Sequence, residues 1–162
     1  MTRQRLSNEQ WGFSSNCFVC EPVNAVGLRQ RFFNDTDLDL VVADVELGPE
    51  HSGVPSYVHG GVQLALLDEA MAWAAIAVAG RFAVTATFTS AFHHPIRVGT
   101  QYPLEASIDA RADTQLSASA RILDDQRRTR TEATATLVVL STAQAADAGA
   151  TPDASTARFT RP

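Results

Sequence analysis

The sequence predicts an α+β fold in which an antiparallel sheet curves around one long central helix. Three observations carry that prediction. The run from about Gly60 to Ala79 is apolar on every side, rich in alanine and leucine, and free of proline. Such a helix must be covered on nearly all its faces. Segments 82–95, 102–111, 115–123 and 129–141 alternate apolar and polar residues, the two-residue period of strands. Short turns join these late segments, and strands so joined pair antiparallel.

Each element is justified in chain order. Residues 1–16 are polar with isolated aromatics, Trp11 and Phe13, and read as a loose lead-in. Residues 17–28 carry Pro22, Asn24 and Gly27 and read as turns. Residues 28–33 are expected to form a strand that ends at the turn chemistry of 34–37. Residues 40–47 form a second strand, with Val41, Ala43, Val45 and Leu47 on one face and Asp44 and Glu46 on the other. Residues 48–57, with two prolines and two glycines, are expected to be a loop. The helix follows and stops at Gly80, a natural C-terminal residue.

In the next strand Val84, Ala86, Phe88 and Phe92 are assigned to one side, and Thr85, Thr87, Thr89 and His93 to the other. Pro95 closes it. In 102–111, Leu104, Ala106, Ile108 and Ala110 oppose Glu105, Ser107, Asp109 and Arg111. Residues 124–128 are a hairpin turn. The domain is expected to span 17–142. Residues 143–162, mostly Ala, Thr, Asp and Ser, are expected to be a disordered tail.

Composition narrows the function. The chain of 162 residues suits one domain with a proper core. A net charge of −5 argues against nucleic acid or an anionic membrane as partner. All 13 basic residues are arginine, so there is no lysine for Schiff-base chemistry or for a Walker-type phosphate loop. No secretory leader pattern is visible at the start. Two cysteines make one C-x-x-C and no disulfide scaffold, so a reducing cytoplasm is the expected setting. The apolar run 62–78 is interrupted by Gln63, Asp68 and Glu69. An acid at a bilayer centre costs about 2.5–3.5 kcal/mol, so a buried soluble helix is expected rather than a membrane span.

Those two acids raise the functional question. His59-Gly60-Gly61 opens the helix, and Asp68 follows nine residues after His59, within Leu67-Asp68-Glu69-Ala70-Met71. The strand from Val84 to Pro95 is followed by Val98-Gly99, and Cys17, Cys20, Asn24, Gly27 and Leu28 precede the whole. With these motifs, residues 17–141 resemble the hotdog-fold acyl-CoA thioesterases of the PaaI-like or 4-hydroxybenzoyl-CoA thioesterase superfamily.

The resemblance implies a hotdog fold, hydrolysis of an acyl thioester on coenzyme A or a carrier protein, and a homodimer or dimer of dimers. It implies that the backbone N–H of Gly60 or Gly61 polarises the thioester carbonyl. Amides at a helix start lack internal partners and sit at the positive end of the dipole, and one oxyanion donor is worth about 3 kcal/mol. It further implies that Asp68 acts as nucleophile or general base and that Thr85 positions the water. No cofactor and no metal are implied. One departure stands out: many relatives carry an asparagine six residues before the histidine, where this chain has Gly53. His51 is a candidate substitute contact, and Arg97 a candidate for the coenzyme phosphates.

Plainer readings stand beside these. Asp68 reads alternatively as a hydrogen-bonded buried acid. Glu69, about 100° further round the helix, is a candidate substrate contact, an alternative chemical residue, or an acid that faces the dimer interface or pairs with an arginine. His59 reads as a helix-start residue that also contacts substrate. His93 and His94 have no companion ligands. Cys17 and Cys20 are half a zinc site, closable only across a symmetric dimer, and packing of two small side chains is the default. The functional alternatives are a non-hydrolytic acyl-CoA-binding or regulatory module, favoured by Gly53, and an acyl-thioester hydratase or dehydratase, whose helix motif is absent.

Overall fold

The computed structural model describes residues 2–11, 15–150 and 157–162. Its strands are β1 (Arg3–Arg5), β2 (Phe33–Asp35), β3 (Leu40–Glu46), β4 (Ser52–Val54), β5 (Tyr57–Val58), β6 (Ala83–Phe92), β7 (Gln101–Arg111), β8 (Gln115–Leu123) and β9 (Thr129–Val139). The helices are α1 (Gly60–Ala77) and α2 (Thr142–Asp147). Seven strands form one sheet in the order β1-β2-β3-β7-β8-β9-β6, antiparallel throughout. This antiparallel sheet around one long helix is the hotdog architecture.

The inward residues follow the period-2 pattern. Val41, Ala43 and Val45 of β3, Leu104 and Ala106 of β7, Leu116, Ala118, Ala120 and Ile122 of β8, and Ala133, Ala135 and Leu137 of β9 are all buried. They close on Leu66, Leu67, Ala70, Met71 and Ala74 of α1. Each fully buried Leu or Met side chain contributes about 1.5–3 kcal/mol relative to exposure. The apolar character of α1 all round is therefore accounted for on the sheet side by core burial.

Gln63 is the polar exception in that core, only 4% exposed. Its amide donates to the Val58 carbonyl at 3.0 Å and accepts from Thr131 Oγ1 at 2.5 Å. A buried amide is tolerated when its hydrogen bonds are made. At the other end of α1, Gly80 takes φ +64°, and the Arg81 N–H reaches back to the Ala75 carbonyl at 2.8 Å. That is the left-handed glycine stop anticipated from sequence.

Four expectations need correction. Residues 28–33 do not form a full strand: Arg29 is left-handed at φ 53°, and Leu28 and Gln30 donate to Phe18 and Val19. The ladder starts only at Phe33 and runs into the expected turn. The loop 48–57 contains a small hairpin, β4 with β5. In β6 the strict alternation fails, because a bulge between Thr85 and Thr87 shifts the register. Thr85 and Phe88 then line one cleft, while Val84 is 50% exposed.

The fourth correction concerns both ends. β1 pairs with β2, and Leu6 is buried, so the lead-in joins the sheet. Ser141 caps α2 with a capping box, and Phe159 packs its ring on Phe82 at 5.4 Å. The described parts of the tail are thus built into the fold. The lead-in residues 12–14, Phe13 among them, and the tail residues 151–156 lie outside the described residues.

Candidate active site

The site begins with how α1 starts. His59 is the N-cap, and its Nδ1 accepts from the Gly61 N–H at 2.9 Å. Accepting at Nδ1 requires that nitrogen to be unprotonated. The N–H groups of Val62 and Gln63 both reach the His59 carbonyl. Among the described residues no acceptor meets the Gly60 N–H. Of the two amides expected to polarise a carbonyl, the Gly60 one therefore stays available, and the Gly61 one is engaged by a histidine. A Cβ on Gly60 would lie 3.3 Å from the Phe92 ring, so glycine there also keeps the approach narrow but open.

Asp68 lies two turns further on, on the face of α1 shared by Gly61, Leu64 and Ala65. Its Oδ1 accepts from Thr85 Oγ1 at 2.6 Å. Asp68 and Thr85 are half-buried, and with Gly61, Leu64, Ala65 and Phe88 they line an open cleft of about 390 Å³. The β6 bulge is what turns the Thr85 hydroxyl to the acid. The structure thus brings Asp68, Thr85 and Gly61 together at one cleft, and Gly60, one residue before Gly61, opens the helix beside the Phe92 ring.

His59 and His51 lie elsewhere, in a second cleft of about 450 Å³ with Phe18, Val26, Leu28, Glu50, Ser52 and Val62. His51 Nδ1 is buried, 3.4 Å from Glu50 Oε1, and makes no hydrogen bond among the described residues. Gly53 packs against the helix start: a Cβ there would stand 3.2 Å from His59 Cα. Glycine at this point lets the β4–β5 hairpin close on His59, and a larger side chain would push it away. Arg97 is exposed and its guanidinium stacks over Tyr57 at 5.4 Å, the geometry of a cation–π contact.

Glu69 is not in the Asp68 cleft, and no arginine pairs with it among the described residues. It faces Cys17 and Cys20 instead, the ligand-type atoms of all three lying within 4.8 Å of one another. Burial is the main cause pushing the Glu69 carboxyl up to about 8, with the Cys17 charge adding to it. The hydrogen bond from the Cys20 thiol draws Cys17 down to about 5, and the same bond pushes Cys20 up. Sequence reasoning missed this grouping. The signals were the C-x-x-C, read as half a zinc site, and the 100° rotation between successive helix positions, which separates Glu69 from Asp68 but does not bring it to the cysteines.

The sequence pattern of the Thioesterase superfamily matches residues 56–131. Among solved structures, a thioesterase superfamily protein is 23% identical with TM-score 0.67, covering 74% of this chain and 60% of that one. Acyl-CoA hydrolase from Staphylococcus aureus, solved with butyryl coenzyme A, coenzyme A and coenzyme A disulfide, is 22% identical with TM-score 0.60, covering 65% of this chain and 66% of that one. The E. coli PaaI protein from the phenylacetic acid degradation operon is 20% identical with TM-score 0.57, covering 61% and 75%. This chain thus spans under two thirds of the length of the first two. No curated protein matches the chain. The solved structures show the hotdog fold, and residues 56–131 within it carry the sequence pattern of the Thioesterase superfamily. No helix among the described residues is long and apolar enough to cross a membrane.

Proposed function

We propose that this protein hydrolyses an acyl thioester of coenzyme A or of a carrier-protein pantetheine arm, with Asp68 as the chemical residue. The observation that carries the reading is the Asp68–Thr85 hydrogen bond of 2.6 Å in a cleft that begins beside a helix N-terminus. The Gly60 N–H stabilises negative charge on the carbonyl oxygen. Thr85 holds Oδ1, leaving Oδ2 to take a proton from a water. The water oxygen attacks the carbonyl carbon, the C–S bond breaks, and the departing thiolate takes up the proton held on Asp68, which returns as carboxylate. Electrostatic stabilisation and base catalysis together are of the size such hydrolases need: about 3 kcal/mol per donor and about 10²–10⁴-fold from the base.

The cleft is open on one side, and β6 is the terminal strand of the sheet. Val84 and Phe92 on it are 50% and 52% exposed. An apolar terminal strand of this length invites pairing with another strand. A second copy laid along β6 would close the Asp68 cleft and complete a homodimer. Arg97 and the other exposed arginines supply candidates for the coenzyme phosphates, with His51 and His59 as further substrate contacts.

Release of free thiol from a panel of acyl-CoAs tests the reading, with Asp68→Asn as the control. No release by the wild type from any member refutes it. Binding without release would favour the second reading, an acyl-CoA-binding module, which the glycine at position 53 supports by removing one polar group near the carbonyl. Light scattering in solution tests the dimer. A monomer that hydrolyses at full rate refutes the shared cleft.

A further inference from the structure

We propose that Cys17, Cys20 and Glu69 form a binding site for one zinc-class divalent cation, distinct from the Asp68 cleft. Three donor atoms of the right chemistry converge: two sulfurs and a carboxylate oxygen, all within 4.8 Å of one another. Tetrahedral zinc, at about 2.3 Å from sulfur and about 2.0–2.2 Å from oxygen, sets such atoms roughly 3.6–3.8 Å apart. Closure therefore needs side-chain shifts on the order of 1 Å, set by those bond lengths. Two soft thiolates select zinc and its neighbours over magnesium or calcium.

The surroundings suit a metal. The loop aims two backbone donors at its first sulfur: Cys17 Sγ accepts from the Val19 N–H at 3.3 Å and the Cys20 N–H at 3.4 Å. Asn8 Nδ2 lies 3.8 Å from Cys20 Sγ and also donates to Glu21 at 3.3 Å. Such outer partners orient metal ligands. A cavity of about 290 Å³, lined by Cys20, Asn8, Glu21 and Trp73 among others, reaches the site from the Cys20 side. A bound divalent ion would take all three groups in their deprotonated, ligating forms.

The site would staple the N-terminal segment to α1. Phe18, Val26 and Leu28 of that segment wall the His51–His59 cleft, so the metal would fix that wall rather than carry out chemistry. It closes within one protomer, with Glu69 as the ligand that sequence spacing does not reveal.

The test uses full-length protein, chelator-stripped and kept reduced, with both thiols counted as free before titration. Cobalt(II) should produce thiolate-to-metal charge-transfer absorption saturating at one equivalent per protomer, and zinc should displace it. Zinc should also shield both cysteines from alkylation in the wild type, a readout that needs no variant. Cys17→Ser with Cys20→Ser should abolish the absorption. Glu69→Gln, near-isosteric, should weaken cobalt binding by at least about 10–100-fold, the loss seen even for partners one step removed from a metal. Absence of the thiolate band in the wild type overturns the site. An unchanged cobalt affinity in Glu69→Gln overturns the three-ligand assignment. Neither result bears on thioester hydrolysis, which is read separately by thiol release.

Discussion

Asp68 and Glu69 are neighbours in sequence and opposites in setting. Asp68 meets a hydroxyl at 2.6 Å on an open cleft. Glu69 meets two thiols on another flank of the same helix. One helical step turns the side chain by about 100°, which is enough to exchange an open reaction cleft for a half-buried cluster of two thiols. The same residue class is thereby given two jobs by rotation alone.

The largest expected effect isolates the first acid. Asp68→Asn should lower the rate of thioester hydrolysis by about 10²–10⁴-fold, the range of a lost general base, measured as steady-state thiol release. An equal loss in Glu69→Gln would break the comparison, since it would make the two acids functionally alike. Thr85→Val keeps the shape and removes the donor to Oδ1. It should cost roughly 10-fold in kcat, in keeping with a lost hydrogen bond of about 1.5 kcal/mol to a charged group; an unchanged kcat would show that the bond does not position the acid.

Gln63 sharpens the contrast as a buried polar group with its partners in place. Thr131→Val removes its hydroxyl partner and should destabilise the fold by about 1–3 kcal/mol, read by urea denaturation, with no direct effect on chemistry. The last prediction concerns Glu69 in the metal-free, reduced protein. Burial raises its carboxyl from 4.5 to about 8, so the folded state binds that proton more tightly than the unfolded chain does. Its contribution to stability is full below the unfolded value of 4.5 and declines as pH rises towards about 8. Glu69→Gln should flatten that part of the profile of Tm against pH; an unaltered slope would show that the carboxyl is not held protonated.

Much of the fold was legible because it is local. The helix, its glycine stop and the inward faces of β3, β8, β9 and of β7 up to Ile108 follow from periodicity, since a strand buried on one face must alternate; beyond Ile108 a bulge leaves Ala110 exposed, against the expected face. Asp68 was legible as an acid that apolar neighbours could not explain. The β6 faces were misread because a bulge adds one residue to a ladder without any glycine to announce it. The lead-in was misread because a three-residue strand, β1, has too little pattern to see, and it forms by pairing with β2. The tail was misread on composition, although Ser141 and Gln144 carry the capping-box spacing.

By itself the sequence determined the long helix α1 with its start and glycine stop, the strands β3 and β6 to β9, and that an acid would stand two turns inside α1. Those are properties of neighbouring residues, set by backbone propensity and by the period of side-chain direction. Tertiary structure decided the partners: Thr85 for Asp68, Thr131 for Gln63, and the two cysteines for Glu69. These pairs join residues far apart in the chain, and only the closing of the sheet on the helix fixes which side chains meet.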